Sequence, residues 1–239
     1  MIGGFIIYGN QPKRILLRAI GPSLTAFGVS DAMPDPVLFL FDSSGALVAS
    51  NNNWRSDQAQ IIQDASLAPS DDREAALVAT LSPGSYTAVL FDSNQSQGVA
   101  LFEFYDLEPH SSLLLDLSTR GPVLTSDRVI IGGFVIYGDQ PTAFILRALG
   151  PSLSLAGVPD PLLDPLLQLY NAEGSLISQN DNWRSDQEQF ILDASLAPSD
   201  DRESAIFANL SPGPYTAVVT GVDNSTGTAL FEIYKLVLP

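Results

Sequence analysis

The stretch Val99-Ala100-Leu101-Phe102-Glu103-Phe104-Tyr105-Asp106-Leu107 alternates. Successive side chains of extended backbone point to opposite sides, so Ala100, Phe102 and Phe104 share one face of a strand. Leu101, Glu103 and Tyr105 share the other. Both faces are largely apolar, which calls for a second layer. Similar short runs precede it at Ile2–Tyr8, Arg14–Ala19, Val37–Phe41, Leu47–Ser50, Ala75–Leu81 and Ser85–Phe91. Between them stand turn formers, such as Asp42-Ser43-Ser44-Gly45 and Ser82-Pro83-Gly84. Many short strands with this spacing specify an all-β, antiparallel, jelly-roll-like β-sandwich. One helical stretch is expected from Ser56 to Ala65, with Ser56 or Asp57 as its cap and Asp57-x-x-Gln60 as a capping box.

The same text is written twice. Residues 2–107 align with residues 131–236 at a constant offset of 129, and 63 of the 106 pairs are identical. Tandem domains follow, expected over 1–110 and 111–239. Differences between the copies assign faces. Phe39 is Gln168 in the second copy and is expected outside; Leu38 and Leu40 stay leucine and are expected in the core. Ile15 and Leu17 should point inward and Lys13 and Arg14 should not. Tyr86, Ala88 and Leu90 read as buried, Phe91 as exposed. The asymmetry lies in the connection. Leu113–Val123 reads as a strand leading the second copy, and nothing comparable precedes Ile2. Either the first copy lacks a leading strand and has an open sheet edge, or the segment is a linker or a last strand of the first copy.

The formal net charge of −16, with Lys13 and Lys235 the only lysines, argues against nucleic acid or an anionic membrane as partner. No apolar run is long enough for membrane insertion as a helix. Cysteine is absent, which removes thiol chemistry and disulfides. Met1 leads straight into a strand-like segment with no signal-peptide pattern.

Gly-Gly-Phe-Val-Ile (132–136), Leu-Arg-Ala-Leu-Gly-Pro-Ser-Leu (146–153), Asn-Asp-Asn-Trp (180–183), Pro-Gly-Pro-Tyr-Thr-Ala (212–217) and Ala-Leu-Phe-Glu-Ile-Tyr (229–234) together resemble a tandem repeat module of bacterial secreted proteins. Leu117–Gly121 resembles the opening of that module, which implies that Leu113–Val123 belongs to the second copy. No activity is assigned to the family; the resemblance implies an extracellular or cell-surface location. The acidic run Ser70–Glu74 departs from the pattern.

Catalytic residue types are scarce. His110 is the sole histidine and has no counterpart, so neither a Ser-His-Asp triad nor a His-ligated zinc is expected. Carboxylates retained in both copies, such as Asp35/Asp164, Glu74/Glu203 and Glu103/Glu232, leave paired-carboxylate hydrolysis as the only catalytic option, and no pair is selected. The chain is not expected to be an enzyme. No cofactor is expected either. Calcium is the candidate cation, through Asn51, Asn53, Asp57, Asp71 and Asp72 and their repeats Asn180, Asn182, Asp186, Asp200 and Asp201. The same residues read equally as turn formers and helix caps. Arg18 and Arg147 sit in apolar strands and demand partners, and Glu103 and Glu232 are the retained charges to supply them. Trp54 and Trp183 are either stacking platforms for a sugar ring or covers for the end of the sandwich with a hydrogen-bonded N–H.

The resulting expectation is a non-catalytic structural module that self-assembles as a filament or surface-layer subunit through sheet-edge pairing, or adheres. Its partners would be further copies in an oligomer or polymer. The alternatives are a module binding an extracellular glycan through Trp54 and Trp183, and an accessory spacer of a larger secreted protein.

Overall fold

The computed structural model describes residues 1–108, 113–126 and 128–236; His110 lies outside them. The chain divides into two compact units, Met1–Leu115 and Asp116–Pro239. The division falls within the strand Leu113–Val123, a few residues after the expected boundary at 110/111.

The second unit contains β8 (Leu113–Val123), β9 (Ile130–Ile136), β10 (Thr142–Leu149), β11 (Pro165–Tyr170), β12 (Leu176–Asn180), α2 (Glu188–Asp193), β13 (Ser204–Leu210), β14 (Gly213–Gly221) and β15 (Gly227–Lys235). Its strands are ordered β8–β15–β10–β13 in one sheet and β9–β14–β11–β12 in the other. Every ladder between them is antiparallel. Counted from first to eighth within the unit, the orders are 1-8-3-6 and 2-7-4-5. That is a jelly roll, the eight-stranded double-sheet arrangement.

The first unit contains β1 (Ile2–Tyr8), β2 (Lys13–Ile20), β3 (Pro36–Asp42), β4 (Leu47–Asn51), α1 (Ala59–Asp64), β5 (Ala75–Leu81), β6 (Gly84–Asp92) and β7 (Leu101–Asp106). Its orders are β7–β2–β5 and β1–β6–β3–β4. They match the second unit strand for strand, except that nothing among the described residues stands where β8 stands beside β15.

Burial follows the alternation. Leu38, Leu40, Ile15, Leu17, Ala88 and Leu90 are buried, while Phe39 packs outside against Phe41 and Phe91. Phe91 is exposed and Tyr86 is half-buried, stacked on Phe5. Asp42 Oδ1 accepts the Ser44 and Ala46 N–H groups, and Gly45 exits with φ 81°. Lys13 corrects the expected face. It is fully buried because its ammonium pairs with Asp106 at 2.6 Å and donates to the Glu108 carbonyl at 2.9 Å. In the second copy these positions are Thr142 and Lys235, so the pair has no repeat.

The β2 segment is apolar almost throughout because it is covered on both sides. Ile15 and Leu17 face the opposite sheet. Leu16 joins Trp54, Ile62, Ala76 and Val78 in a separate cluster beneath α1. The helix is shorter than expected, and the capping box does not form. Gln58 takes the N-cap position with φ 56° and no side-chain cap. Its amide is engaged elsewhere: Nε2 donates to the Val78 carbonyl at 2.9 Å and Oε1 accepts the Val78 N–H at 2.8 Å. Gln58 thus extends the β5 edge by side chain and holds the helix on it.

Candidate functional site

Each unit has a charged cluster on the outer face of the β2 or β10 sheet. The Arg18 Nε donates to Glu103 Oε2 at 2.7 Å, its Nη1 to the Leu67 carbonyl at 2.8 Å and its Nη2 to the Tyr105 hydroxyl at 3.0 Å. Tyr105 in turn donates to Glu103 Oε1 at 2.8 Å. Arg18 and Glu103 lie directly opposite each other in the β2–β7 ladder. The second unit repeats this. Arg147 donates to Glu232 Oε2 at 2.8 and 2.6 Å, to the Leu196 carbonyl at 2.8 Å and to Tyr234 at 3.1 Å. Every polar atom is spent inside the cluster, which ties two strands to the loop after the helix. Sequence reasoning paired Arg18 with Glu103 and Arg147 with Glu232 but missed the tyrosines, whose i+2 spacing from the glutamate puts them on its face.

A second carboxylate joins distant loops. Glu74 is fully buried, and its Oε1 accepts the N–H groups of Gly21 and Ser23 at 3.1 and 2.9 Å and the Ser23 hydroxyl at 2.6 Å. Its Oε2 accepts the Asp71 N–H at 3.3 Å. Glu203 does the same with Gly150, Ser152 and Asp200. A buried carboxylate is tolerated only when its lone pairs are filled like this. Gly21 must be glycine, since a Cβ there would lie 2.2 Å from the Met33 carbonyl oxygen. The recurrence of Gly-Pro-Ser-Leu with Asp-Asp-Arg-Glu is therefore one structural clasp.

The calcium candidates are placed near one another but are already engaged. Asn51 Oδ1 accepts the Ala76 N–H and its Nδ2 donates to the Asn53 carbonyl. Asp57 accepts the Gln58 N–H. Asp71 pairs with Arg73, whose guanidinium draws its carboxyl down to about 2, and Asp72 pairs with Arg55. In the second unit Asn180 holds the Ala205 and Asn182 backbone, Asp200 pairs with Arg202 and Asp201 with Arg184. Asp186 lines an open cleft with Asp181 and Asp223. Among the described residues no three acidic or histidine side chains converge as a metal site.

Trp54 and Trp183 correct the platform reading. Each indole is 1% exposed. It lies under the helix on the outer face of its sheet, not across the end of the sandwich, and the adjacent Arg55 or Arg184 guanidinium stacks 4.1 Å from the ring centroid. No face is left for a sugar. The expected N–H bond is also missing: both Nε1 atoms lack a partner among the described residues, because the surrounding cluster offers no acceptor.

The units differ most at the outer edge of their last strand. Along β15, Gly227 to Tyr234 face β8 residue by residue, from Gly227 opposite Val123 to Tyr234 opposite Asp116. Val123 is fully buried and Leu117 packs on the core. Under that cover Phe231 and Ile233 are 5% and 7% exposed. Their counterparts Phe102 and Phe104 on β7 are only half-buried, and Leu101 is 43% exposed. The strand itself is shorter, six residues in β7 against nine in β15. The expected strand over Val99–Leu107 is thus trimmed at both ends, and no neighbour lies beyond it among the described residues.

β8 also brings a charge that the first unit lacks. Asp116 sits beside the Arg147–Glu232–Tyr234 cluster, and its carboxyl is pushed up to about 7, first by burial and then by Glu232. Burial also raises the Tyr234 phenol.

Neither a protein-family model nor a curated protein matches the chain. Solved structures do. The STIV MCP is 10% identical with a TM-score of 0.28, the alignment covering 100% of this chain and 92% of that one. A putative secreted protein from Eubacterium rectale is 9% identical with a TM-score of 0.24, covering 98% and 68%. The infectious bursal disease virus VP2 subviral particle is 9% identical with a TM-score of 0.20, covering 97% and 58%. Likenesses this distant add nothing to the sheet orders already described.

Proposed function

We propose that this chain is a non-catalytic structural module of an extracellular assembly, joined to further chains by strand pairing at a sheet edge. The observation that carries this reading is the first unit's jelly roll: seven strands match those of the second unit, and none among the described residues lies where the eighth would. Open edges are commonly blunted by charge, proline or covering loops, and one left open beside half-buried phenylalanines is a template for another strand. The contact is heterologous and grows without closing, which gives a filament or layer in place of a closed dimer. Glu74, Glu103 and Arg18, with their repeats Glu203, Glu232 and Arg147, are consumed by clasps and ion pairs, which supports a non-enzymatic role. Resemblance to the secreted repeat module supports the extracellular setting, and a spacer role in a longer protein is compatible with both. Light scattering behind size exclusion, over a wide concentration range, tests assembly. Open-ended polymers are the expected result; a monodisperse monomer at the highest concentration overturns it.

A further inference from the structure

We infer that the outer edge of β7 is a seat for one particular kind of strand, presented in trans by another polypeptide: an extended segment with the inward pattern Leu-x-Thr-x-Gly-x-Val that β8 carries. This rests on the assembly reading and names the partner that the edge selects.

The second unit provides the template. Residues directly opposite in an antiparallel ladder share a face. Leu117 therefore stands with Ile233, Thr119 with Phe231, Gly121 with Ala229 and Val123 with Gly227. These pairs face the core, and the small residues Thr119 and Gly121 leave room for the large Phe231. Asp116, Ser118, Arg120 and Pro122 occupy the outer face, opposite Tyr234, Glu232, Leu230 and Thr228. At the offset of 129 the seat on β7 keeps nearly the same partners: Phe104, Phe102, Ala100 and Gly98 inward, Tyr105, Glu103, Leu101 and Val99 outward. Six of these eight positions are identical to their β15 counterparts. The Arg18–Glu103–Tyr105 cluster behind the edge is assembled in the geometry that β8 meets in the second unit. The β7 strand holds no proline and no lysine, and its two charges, Glu103 and Asp106, are paired with Arg18 and Lys13. Among the described residues β8 is seated on β15, and no strand lies on the matching edge of β7. The intramolecular seat on β15 is filled; the seat on β7 is left for a donor from another chain.

The test is a titration of the isotope-labelled whole chain with a synthetic peptide of sequence Asp116–Leu124, against a control peptide carrying Leu117→Asp and Val123→Asp. Expected is saturable binding, shifts confined to β7 and the Arg18 cluster, and amide exchange over Leu101–Asp106 slowed roughly tenfold or more. The control should bind at least roughly tenfold more weakly, because it places two carboxylates in the core. No saturation at millimolar peptide, equal binding of the control, or protection mapping to β15 or β9 overturns the inference. The two readings fail separately. A chain that captures the peptide but stays monomeric loses the assembly reading and keeps the seat. A chain that polymerises yet ignores the peptide keeps assembly and loses the seat.

Discussion

The two units share a clasp, an arginine cluster and most of their core residues, yet the arginine at the centre of each stands in a different electrostatic setting. Arg18 answers one carboxylate, Glu103, on β7, whose far side has no strand beside it among the described residues. Arg147 answers Glu232 directly and lies within electrostatic reach of Asp116, on a strand covered by β8. A covering strand does more than bury apolar area: it raises the cost of every charge behind it. The same side chain becomes more important to one unit than to the other.

That difference is open to measurement, since each unit has one tryptophan and Trp54→Phe or Trp183→Phe isolates the other unit's fluorescence. The largest effect is expected from Arg147→Met, which leaves Glu232 and Asp116 buried together without a cation. It should destabilise the second unit by about 4 kcal/mol, with Arg18→Met costing the first unit distinctly less. Equal losses in the two units would mean that the covering strand does not set the cost. Val123→Ala should destabilise the second unit by about 2 kcal/mol through the cavity it leaves and should not move the first unit's melt.

Asp116 makes the comparison depend on pH. Its carboxyl titrates at about 7 in the folded unit against an ordinary 3.8. Between those values the folded unit holds a proton that the unfolded chain has lost. The Asp116 contribution therefore favours folding at low pH and is lost as pH rises through about 7. Thermal melts should show the second unit weakening from pH 5 to pH 8 and the first unit lacking that component. Asp116→Asn should flatten the curve. The smallest effect belongs to Glu188, which pairs on the surface with Arg184 and is Ala59 in the first unit. Glu188→Ala should shift the second melt by no more than the scatter between replicates, as exposed pairs usually do.

The strands were legible because alternation and turn residues mark them one by one, and the duplication doubled the signal. The Arg18–Glu103 and Arg147–Glu232 pairs were legible for a related reason: a lone charge in an apolar strand must be answered. Other features depend on what folding brings together from far along the chain. Nothing near Glu74 in sequence shows that its oxygens meet Gly21 and Ser23. Gln58 reads as a helix residue until β5 lies beside it. Lys13 looked exposed because its counterpart is Thr142, but its partner Asp106 is also replaced, so the pair was exchanged as a unit. Asn51–Asn53 and Asp71-Asp72 looked like cation ligands because residue type alone does not tell which backbone N–H or arginine fills each oxygen.

One contact between strands far apart in sequence also limits how this fold can change. Gly3 lies under the Phe102 ring, and a Cβ there would stand 2.6 Å from it; Gly132 lies under Phe231 at 2.4 Å. A methyl added on one strand has to be matched by atoms removed from the other. Each change made alone is harmful, whichever comes first, so drift at either position must pass through a weakened intermediate. The glycine and the phenylalanine are inherited as a single character, and they have stayed together in both copies since the duplication.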